Sequence, residues 1–502
     1  MRFTSLVIEL IRARPRLVVL IAVLLQAALW LVVSLPFYHS PPRDLAIALA
    51  YGREYQVGTG LGPPLAFWLA DIAYRVAGNH VFGVYLLAEL CSVVTFWALF
   101  LLGRALVGGQ QAVLAVLLAM TVTAFGSSAL DFGPDVLACP LWALLLLHSW
   151  QLIGQGRRNA WFAFSIEAGL LLLTTSAAIE LLLLVAAFAV ATRQGRRTLS
   201  SLDSPFALLV IVVLALPYLI WLIRAGALHA PHWPPLADLH ARAVHWVRLL
   251  GGLLLAISGI LILIAANSGW FNRTPEDAPI LYRPPAGPLA RKFVYVFAVA
   301  PALIGSLISG LFNLDRVVAG VGVVLLMAGL AVIVAAGDRV HLRRQRVLRA
   351  IWAAVIVVPA LGVVAGALFL PWTGRNEVAT SLPARDIAQF FGGNFQRRTK
   401  RPLAAVAGDT QIASLIALGA GRPHLFIDAA PERTPWMTFA KFHQIGGVVV
   451  WRASDTAGKP PPAIAKRFPD LVPEVPQTFD WLVNGRQPVL RIGWAIVRPK
   501  DK

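Results

Sequence analysis

Charge is scarce in this sequence, because Asp, Glu, Lys and Arg together make up 14% of its 502 residues. Soluble globular proteins carry about 25% charged residues, so this composition excludes a soluble enzyme. A hydrophobic fraction of 58% excludes a disordered chain. Cysteine is rarer still, and two residues, Cys91 and Cys139, are too few for a disulfide scaffold. The remaining class is a protein that crosses a membrane several times.

Long apolar runs identify the crossings. A spanning helix needs about 20 mainly apolar residues, and ten such runs occur. One of them, 161–191, is too long for one upright span and has Thr174-Thr175-Ser176 at its middle, so we predict two short helices there and eleven spans in total. The other predicted spans are 17–37, 81–103, 112–126, 136–152, 206–223, 249–266, 293–312, 317–336 and 350–370.

The basic residues give the orientation. With eleven spans and the N-terminus inside, the short inner loops hold 19 Lys and Arg and the outer loops hold 7, which agrees with the excess of positive charge expected on the cytoplasmic side. The formal net charge of +19 is therefore interpreted mainly as a topology signal, and no nucleic-acid partner is predicted. The first apolar run is longer than that of a signal peptide and no clear cleavage site follows it, so we expect an uncleaved anchor.

An odd number of spans places the tail, 371–502, on the outer side. Its short apolar strands alternate with helical segments, which is typical of a small α/β layer. We therefore predict two domains, a membrane module over 1–370 that includes the outer loop 38–80, and a soluble α/β domain over 371–502. The tail lacks a glycine-rich phosphate fingerprint, since Gly392-Gly393 and Gly446-Gly447 are isolated pairs. The predicted elements are helices over 384–391, 411–418 and 437–442, and strands over 403–407, 424–427, 447–451 and 489–497.

The first outer loop, 38–80, contains the strongest catalytic candidate. Asp44 follows Pro41-Pro42 and precedes a stretch of helix formers, 45–56, which also holds the substrate-binding candidates Arg53 and Glu54. Asp44 could act on a substrate, or it could simply cap the helix that follows it. Pro63-Pro64 could start a second helix, which would lie in the membrane interface or pack on the bundle.

Two later outer loops supply further substrate-binding candidates. The loop 127–135 carries two acidic residues, Asp131 and Asp135. The loop 224–248 is basic and rich in histidine, which suits an anionic group such as phosphate. A metal ion on His229-x-x-His232 is an alternative, although that pair lacks helical spacing. The candidates in this loop are Arg224, His229, His232, Arg242, His245 and Arg248.

The order of these motifs resembles glycosyltransferase family 39, a membrane-embedded group with the GT-C fold that includes protein O-mannosyltransferases and the lipid A aminoarabinose transferase. Over about residues 1–220, the matching features after Asp44 are Gly62-Pro63-Pro64-Leu65-Ala66-Phe67-Trp68-Leu69, Leu102-Gly103-Arg104 and Pro134-Asp135. In the tail, Ala407-Gly408-Asp409 and Thr434-Pro435-Trp436 resemble the outer domain of bacterial members.

The resemblance implies a bacterial inner-membrane glycosyltransferase. It would move a sugar, with inversion, from a polyprenyl-phosphate carrier to a lipid or polysaccharide acceptor on the periplasmic side. Asp44 stands at the position of the family's outer-loop aspartate. Its carboxylate could take the proton of the acceptor hydroxyl, while arginines would stabilise the leaving phosphate. No cofactor is implied with certainty, and a divalent metal stays an alternative.

The sequence also departs from the family pattern. Leu45 stands where many members have a second acid, and Gly62 where many have a basic residue before Pro-Pro. Arg53 or the 224–248 loop could supply the missing positive charge, and Glu54 the missing acid. The competing hypothesis is a non-catalytic protein that binds or transports a lipid-linked sugar.

Overall fold

The structure is a computed structural model that describes residues 3–225, 238–268, 280–283, 285–343, 345–373, 379–427, 434–454, 456–482 and 485–500. The chain divides into two compact units. The first consists of Met1–Leu31, Ala88–Ala129 and Pro134–Ala360. The second, which we call the outer-loop unit, consists of Val32–Leu87, Leu130–Gly133 and Leu361–Lys502. It therefore combines the first predicted outer loop with the tail.

Helices dominate the described chain. Two short 3-10 helices, Thr123–Phe125 and Ser127–Leu130, follow the sixth α-helix. The α-helices are α1 (Phe3–Ala13), α2 (Pro15–Phe37), α3 (Arg43–Gly52), α4 (Leu65–Val76), α5 (Phe82–Val107), α6 (Gly109–Ala119), α7 (Pro134–Ile153), α8 (Ala160–Leu172), α9 (Ala178–Ala191), α10 (Arg193–Leu199), α11 (Asp203–Arg224), α12 (Leu239–Ala256), α13 (Ser258–Asn267), α14 (Pro288–Leu311), α15 (Val321–Val324), α16 (Ala328–Ala335), α17 (Gln345–Thr373), α18 (Ala384–Thr399), α19 (Thr410–Gly419), α20 (Phe439–Ile445) and α21 (Pro462–Arg467).

Within the described residues, seven strands form two sheets. A two-stranded antiparallel pair lies in the first unit, and a five-stranded sheet of order β4-β3-β5-β7-β6 lies in the tail. Strands β4, β3 and β5 are parallel, whereas β7 and β6 are antiparallel additions. The strands are β1 (Ile280–Tyr282), β2 (Arg339–His341), β3 (Ala405–Gly408), β4 (His424–Ile427), β5 (Gly447–Arg452), β6 (Gln477–Phe479) and β7 (Leu490–Val497).

The apolar helices make this a multi-pass membrane protein. Six of the described helices, α2, α5, α7, α11, α14 and α17, are long and apolar enough to cross a bilayer. The number rises to eight if the bent pairs α9–α10 and α12–α13 each count as one span. The predicted break in 161–191 is present, because α8 ends at Leu172 and α9 begins at Ala178. The total of eleven spans stays a prediction.

Three predicted spans are interrupted. The segment 112–126 leaves the α-helix after Ala119, where the Thr121 hydroxyl donates to the Leu118 carbonyl at 2.7 Å, a local bond that competes with helix continuation. The segment 317–336 turns at Gly320, whose φ of +78° is left-handed, and again between α15 and α16. The segment 249–266 bends by 53° between α12 and α13.

The loop predicted over 224–248 is wrong in its second half. Helix α12 already begins at Leu239, so Arg242, His245 and Arg248 lie on a helix. Trp246 holds this turn of α12 against α14, because its indole N–H donates to the Ser306 hydroxyl at 3.1 Å. The first unit has a hydrophobic core that is built around the ring contacts of Trp142, Phe188, Phe293 and Phe297.

Candidate functional site

The start of helix α3 positions Asp44. Pro42 is the N-cap residue and provides no side-chain cap, and the helix runs from Arg43 to Gly52. Asp44 is the second helical residue, so the alternative that it caps a helix beginning at Leu45 is wrong. A carboxylate in the first turn is favoured by the positive end of the helix dipole. The side chain of Asp44 is half-buried.

The missing cap comes from a distant segment. Asp131 Oδ1 accepts a hydrogen bond from the Leu45 N–H at 2.8 Å, although the two residues are 86 positions apart. Next to it, Gly133 lies so close to α3 that a Cβ on that glycine would be 3.8 Å from Asp44 Cβ. The structure therefore brings Asp44 and Asp131, two of the predicted site residues, to the same end of α3.

Two tyrosines that the sequence analysis overlooked lie near Asp131. The rings of Tyr38 and Tyr85 meet edge to face, with centroids 6.2 Å apart. Burial raises the pKa of Tyr38, and the negative charge of Asp131 raises it further. The Tyr38 hydroxyl therefore stays protonated at neutral pH and can donate hydrogen bonds. The available signal was the position of Tyr38 directly after the first span, where tyrosine is enriched at membrane interfaces.

Arg53 and Glu54 lie at the other end of α3. Nine residues of α-helix separate Arg53 from Asp44, a rise of about 13 Å and a rotation that places the two side chains on opposite faces. Glu54 pairs with His424, since its two oxygens lie 2.8 and 3.0 Å from the imidazole Nδ1. The structure thus separates these two candidates from the pair formed by Asp44 and Asp131.

A buried aspartate accepts hydrogen bonds from several side chains near the C-terminal end of α3. Asp71, on α4, is fully buried and accepts hydrogen bonds from the Tyr55 hydroxyl at 2.8 Å and from Arg75 Nε at 2.6 Å. Arg422 of the tail donates to its other oxygen. Burial alone would raise the pKa of Asp71, but the hydrogen bonds from Arg422 and Tyr55 and the charge of Arg422 outweigh it and lower the pKa. Sequence analysis found neither Asp71 nor Arg422 as a site residue.

The remaining candidates belong to the first unit. The Asp135 carboxylate lies against Gly320, where an added Cβ would be 2.8 Å from Asp135 Cγ. Arg242 donates to the Leu311 carbonyl, and His245 Nε2 lies 2.9 Å from the Leu314 carbonyl oxygen. Both therefore tie α12 to the end of α14. Arg224 and Arg248 are exposed. His229 and His232 lie outside the described residues.

No group of three or more His, Cys, Asp or Glu side chains that could hold a metal ion occurs within the described ranges. The histidine pair suggested as a metal alternative, His229 and His232, falls in 226–237, which those ranges omit. The chemistry that the described site offers at the start of α3 is that of carboxylates and phenol hydroxyls.

Comparison with known proteins agrees with the predicted resemblance. Residues 62–221 match the model of a family described as dolichyl-phosphate-mannose-protein mannosyltransferase. The match includes Asp131 and Asp135 but begins after Asp44. No curated protein matches the chain.

The fold is similar to that of a solved structure, ArnT, and two further structures match less well. ArnT from Cupriavidus metallidurans, bound to undecaprenyl phosphate, is 15% identical; the alignment covers 98% of this chain and 100% of that one, with a TM-score of 0.57. The arabinofuranosyltransferase AftD from Mycobacteria is 12% identical over 96% of this chain and 40% of its own, with a TM-score of 0.48. The oligosaccharyltransferase AglB from Archaeoglobus fulgidus is 13% identical over 81% of this chain and 64% of its own, with a TM-score of 0.39. The predicted resemblance to the GT-C glycosyltransferases is confirmed by the family match and the ArnT fold.

Proposed function

We propose that this protein is a membrane glycosyltransferase that moves a sugar from a polyprenyl-phosphate carrier to a lipid or polysaccharide acceptor. The single observation that carries the proposal is that Asp44 and Asp131 lie at the same end of α3. Two acidic residues from distant segments come to one helix end there, in a chain that matches the ArnT fold over 98% of its length. ArnT itself binds undecaprenyl phosphate, and this supports a donor of that class here.

In the proposed reaction Asp44 is the general base. It takes the proton of the acceptor hydroxyl while the hydroxyl oxygen forms a bond to the anomeric carbon of the sugar. The bond between that carbon and the phosphate oxygen breaks on the opposite side, which inverts the anomeric centre. A base of this kind contributes about 10²- to 10⁴-fold to the rate.

Asp131 acts through α3 in this proposal. By accepting from the Leu45 N–H it fixes the first turn of the helix and hence the direction of the Asp44 carboxylate. Tyr38 and Tyr85 offer ring faces and hydroxyls beside the carboxylates, and such groups suit a sugar. Asp135 orients substrate or its loop in the proposal. The leaving phosphate needs cations, and the candidates that the sequence alone offers for that role are Arg224, Arg242, Arg248, His229, His232 and His245.

We also propose the arrangement in the membrane. The N-terminus lies in the cytoplasm, eleven helical segments lie in the inner membrane, and the α/β domain at 371–502 lies in the periplasm. The excess of basic residues in the predicted inner loops, 19 against 7, supports this orientation. The donor would then reach Asp44 from within the bilayer, so that no nucleotide-sugar site is required.

The test is a transfer assay with the purified protein in nanodiscs, a panel of polyprenyl-phosphate sugars and an extract of envelope lipids and polysaccharides. For Asp44→Asn we expect kcat to fall by about 10²-fold or more, with unchanged donor binding and melting temperature. Asp386→Asn is the matched control, because Asp386 is an exposed first-turn aspartate of α18.

Equal transfer by the wild-type protein and Asp44→Asn would remove Asp44 from catalysis. Donor binding without transfer by the wild-type protein would favour the second candidate function, a non-catalytic lipid-linked sugar binding or transport protein. That candidate draws its support from Leu45 and Gly62, which replace the acid and the base common in the family.

A further inference from the structure

A second charged site lies at the C-terminal end of α3. We call it the α3-end cluster and define it by six side chains that all belong to the outer-loop unit. Its members are Arg53, Glu54, Asp71, Arg75, Arg422 and His424. The α-helical rise places it about 13 Å from Asp44, so it does not serve the reacting sugar there.

Both acids of the cluster already have partners. Asp71 is surrounded by Arg75, Arg422 and the Tyr55 hydroxyl, and Glu54 is paired with His424. The carboxylate oxygens of Asp71 thus take three donors, and the two oxygens of Glu54 share one imidazole. Neither acid forms a hydrogen bond with the third guanidinium, that of Arg53.

Arg53 lies among charges of both signs, because Glu54 and Asp71 attract its guanidinium while Arg422 and Arg75 repel it. Its guanidinium forms no hydrogen bond within the described part of the chain, and its Nη1 atom is enclosed without a partner. Burial lowers the pKa of Arg53; the charge of Glu54 opposes this, and those of Arg422 and Arg75 add to it. Three guanidiniums face two carboxylates, so the cluster carries one excess positive charge, or two when His424 is protonated.

The rest of the cluster is held rigidly. Arg422 has a left-handed backbone with φ of +59°, which is costly for a residue with a side chain. In that conformation its guanidinium reaches Asp71 and the Leu49 carbonyl, the latter at 3.2 Å, and lies 5.2 Å from the centre of the Tyr74 ring. Because Leu49 lies in the last turns of α3, these contacts fix the helix end from which Arg53 projects.

We propose that the α3-end cluster binds a phosphomonoester, with the Arg53 guanidinium as its direct ligand. A phosphomonoester carries a charge of about −1.5 to −2 at neutral pH, which matches the excess of one to two positive charges. Its oxygens can accept two parallel hydrogen bonds from the planar guanidinium of an arginine. The side chain of Arg53 is partly exposed, so a ligand can reach it. This site is independent of the proposed sugar transfer.

The test uses the full-length protein in nanodiscs and Arg53→Gln. Inorganic phosphate is titrated against chloride at constant ionic strength in phosphatidylcholine nanodiscs, with the melting temperature as readout. A second arm replaces part of the lipid with phosphatidic acid and measures that lipid's enrichment around the protein. The control is Arg397→Gln, because Arg397 is an exposed arginine of the same unit.

We expect Arg53→Gln to weaken binding at least about tenfold, as the loss of a charge-assisted pair should, while Arg397→Gln stays within about twofold. Saturable stabilisation by free phosphate would identify a soluble phosphate group as the ligand. An effect confined to phosphatidic acid would identify a lipid headgroup. Both outcomes support the site.

A second readout separates ligand binding from a structural role. Without phosphate, Arg53→Gln should melt at about the same temperature as the wild-type protein, because the lost attraction to Glu54 and Asp71 is offset by the relieved repulsion from Arg75 and Arg422. A lower melting temperature together with phosphate responses equal to those of the wild type would overturn the proposal. It would show that Arg53 only stabilises the fold. Arg53→Lys, which keeps the charge, should retain part of the binding.

Discussion

Three aspartates of the outer-loop unit have different environments, and these environments assign their roles. Asp71 is buried among three donors, Asp131 accepts from a helix N-terminus, and Asp44 is half-buried in the first turn of that helix. In our proposal Asp71 stabilises the fold, Asp131 fixes the first turn of α3, and Asp44 takes the proton of the acceptor hydroxyl. The sequence offered Asp44 and Asp131 as site candidates but gave no sign of the buried environment of Asp71.

The lowered pKa of Asp71 predicts a pH dependence of stability. Because its folded-state pKa lies below the unfolded value of about 3.9, the ionised carboxylate stabilises the protein above about pH 4. That stability is lost as the pH falls through the lowered folded-state pKa. Asp71→Asn should cost about 3 kcal/mol at pH 7, since it leaves Arg422 without its buried partner.

Melting temperatures at pH 7, 4 and 3 check this prediction. The difference between the wild type and Asp71→Asn should be largest at pH 7 and shrink at pH 3. A difference that is constant across this range would show that the charge of Asp71 does not stabilise the folded state.

Asp131 is expected to act through the backbone of α3. Asp131→Ala removes the acceptor for the Leu45 N–H and should cost about 1 kcal/mol, as the loss of a helix cap does. It should also lower transfer, because the first turn that carries Asp44 is no longer fixed. Asp131→Asn keeps an acceptor oxygen and should recover the melting temperature. If Asp131→Ala lowers neither the melting temperature nor the transfer rate, the bond to Leu45 has no positioning role.

Helix α3 separates two sites because of its length. Ten residues of helix keep Asp44 and Arg53 at opposite ends and on opposite faces. The helix in turn is set by its close approach to α4, where a Cβ on Gly52 would lie 2.1 Å from the Phe67 carbonyl oxygen. Only glycine permits this distance without a shift of one helix.

Gly52→Ala should therefore displace α3. We expect a destabilisation of about 1–3 kcal/mol, the usual range for overpacking, together with reduced transfer. The matched control is Gly393→Ala in α18, where the added Cβ meets nothing within 4 Å. That substitution should leave stability unchanged or raise it by about 0.5–1 kcal/mol. Similar melting temperatures for both variants would contradict the close packing of α3 on α4.

For the whole molecule, the main prediction concerns topology. Two exposed positions, Gln155 between α7 and α8 and Lys459 in the tail, should lie on opposite sides of the membrane. With Cys91 and Cys139 replaced by serine, a membrane-impermeant maleimide added to intact spheroplasts should label Lys459→Cys and not Gln155→Cys. Labelling of both positions, or only of Gln155→Cys, would rule out eleven spans with an inner N-terminus.

The sequence by itself determined the membrane class, most apolar helices and most elements of the tail, although α21 and β6 were missed. These features follow from local composition and periodicity, which a single segment contains. The break between α8 and α9 and the strand over 424–427 were predictable for the same reason. Asp44 was found as a candidate because it lies just after Pro41-Pro42 in the first outer loop and at the start of a run of helix formers.

Only the tertiary structure decided which residues meet. The bond from Leu45 to Asp131 joins positions 86 residues apart, and that from Arg422 to Asp71 joins positions 351 apart. Local patterns carry no information about such pairs. The prediction of a loop over 224–248 from its charged residues was wrong at α12. Arginines and histidines are compatible with a helix whose apolar side is packed. The fold thus placed Arg53 away from Asp44, since the rise and turn of a helix fix the separation of its residues.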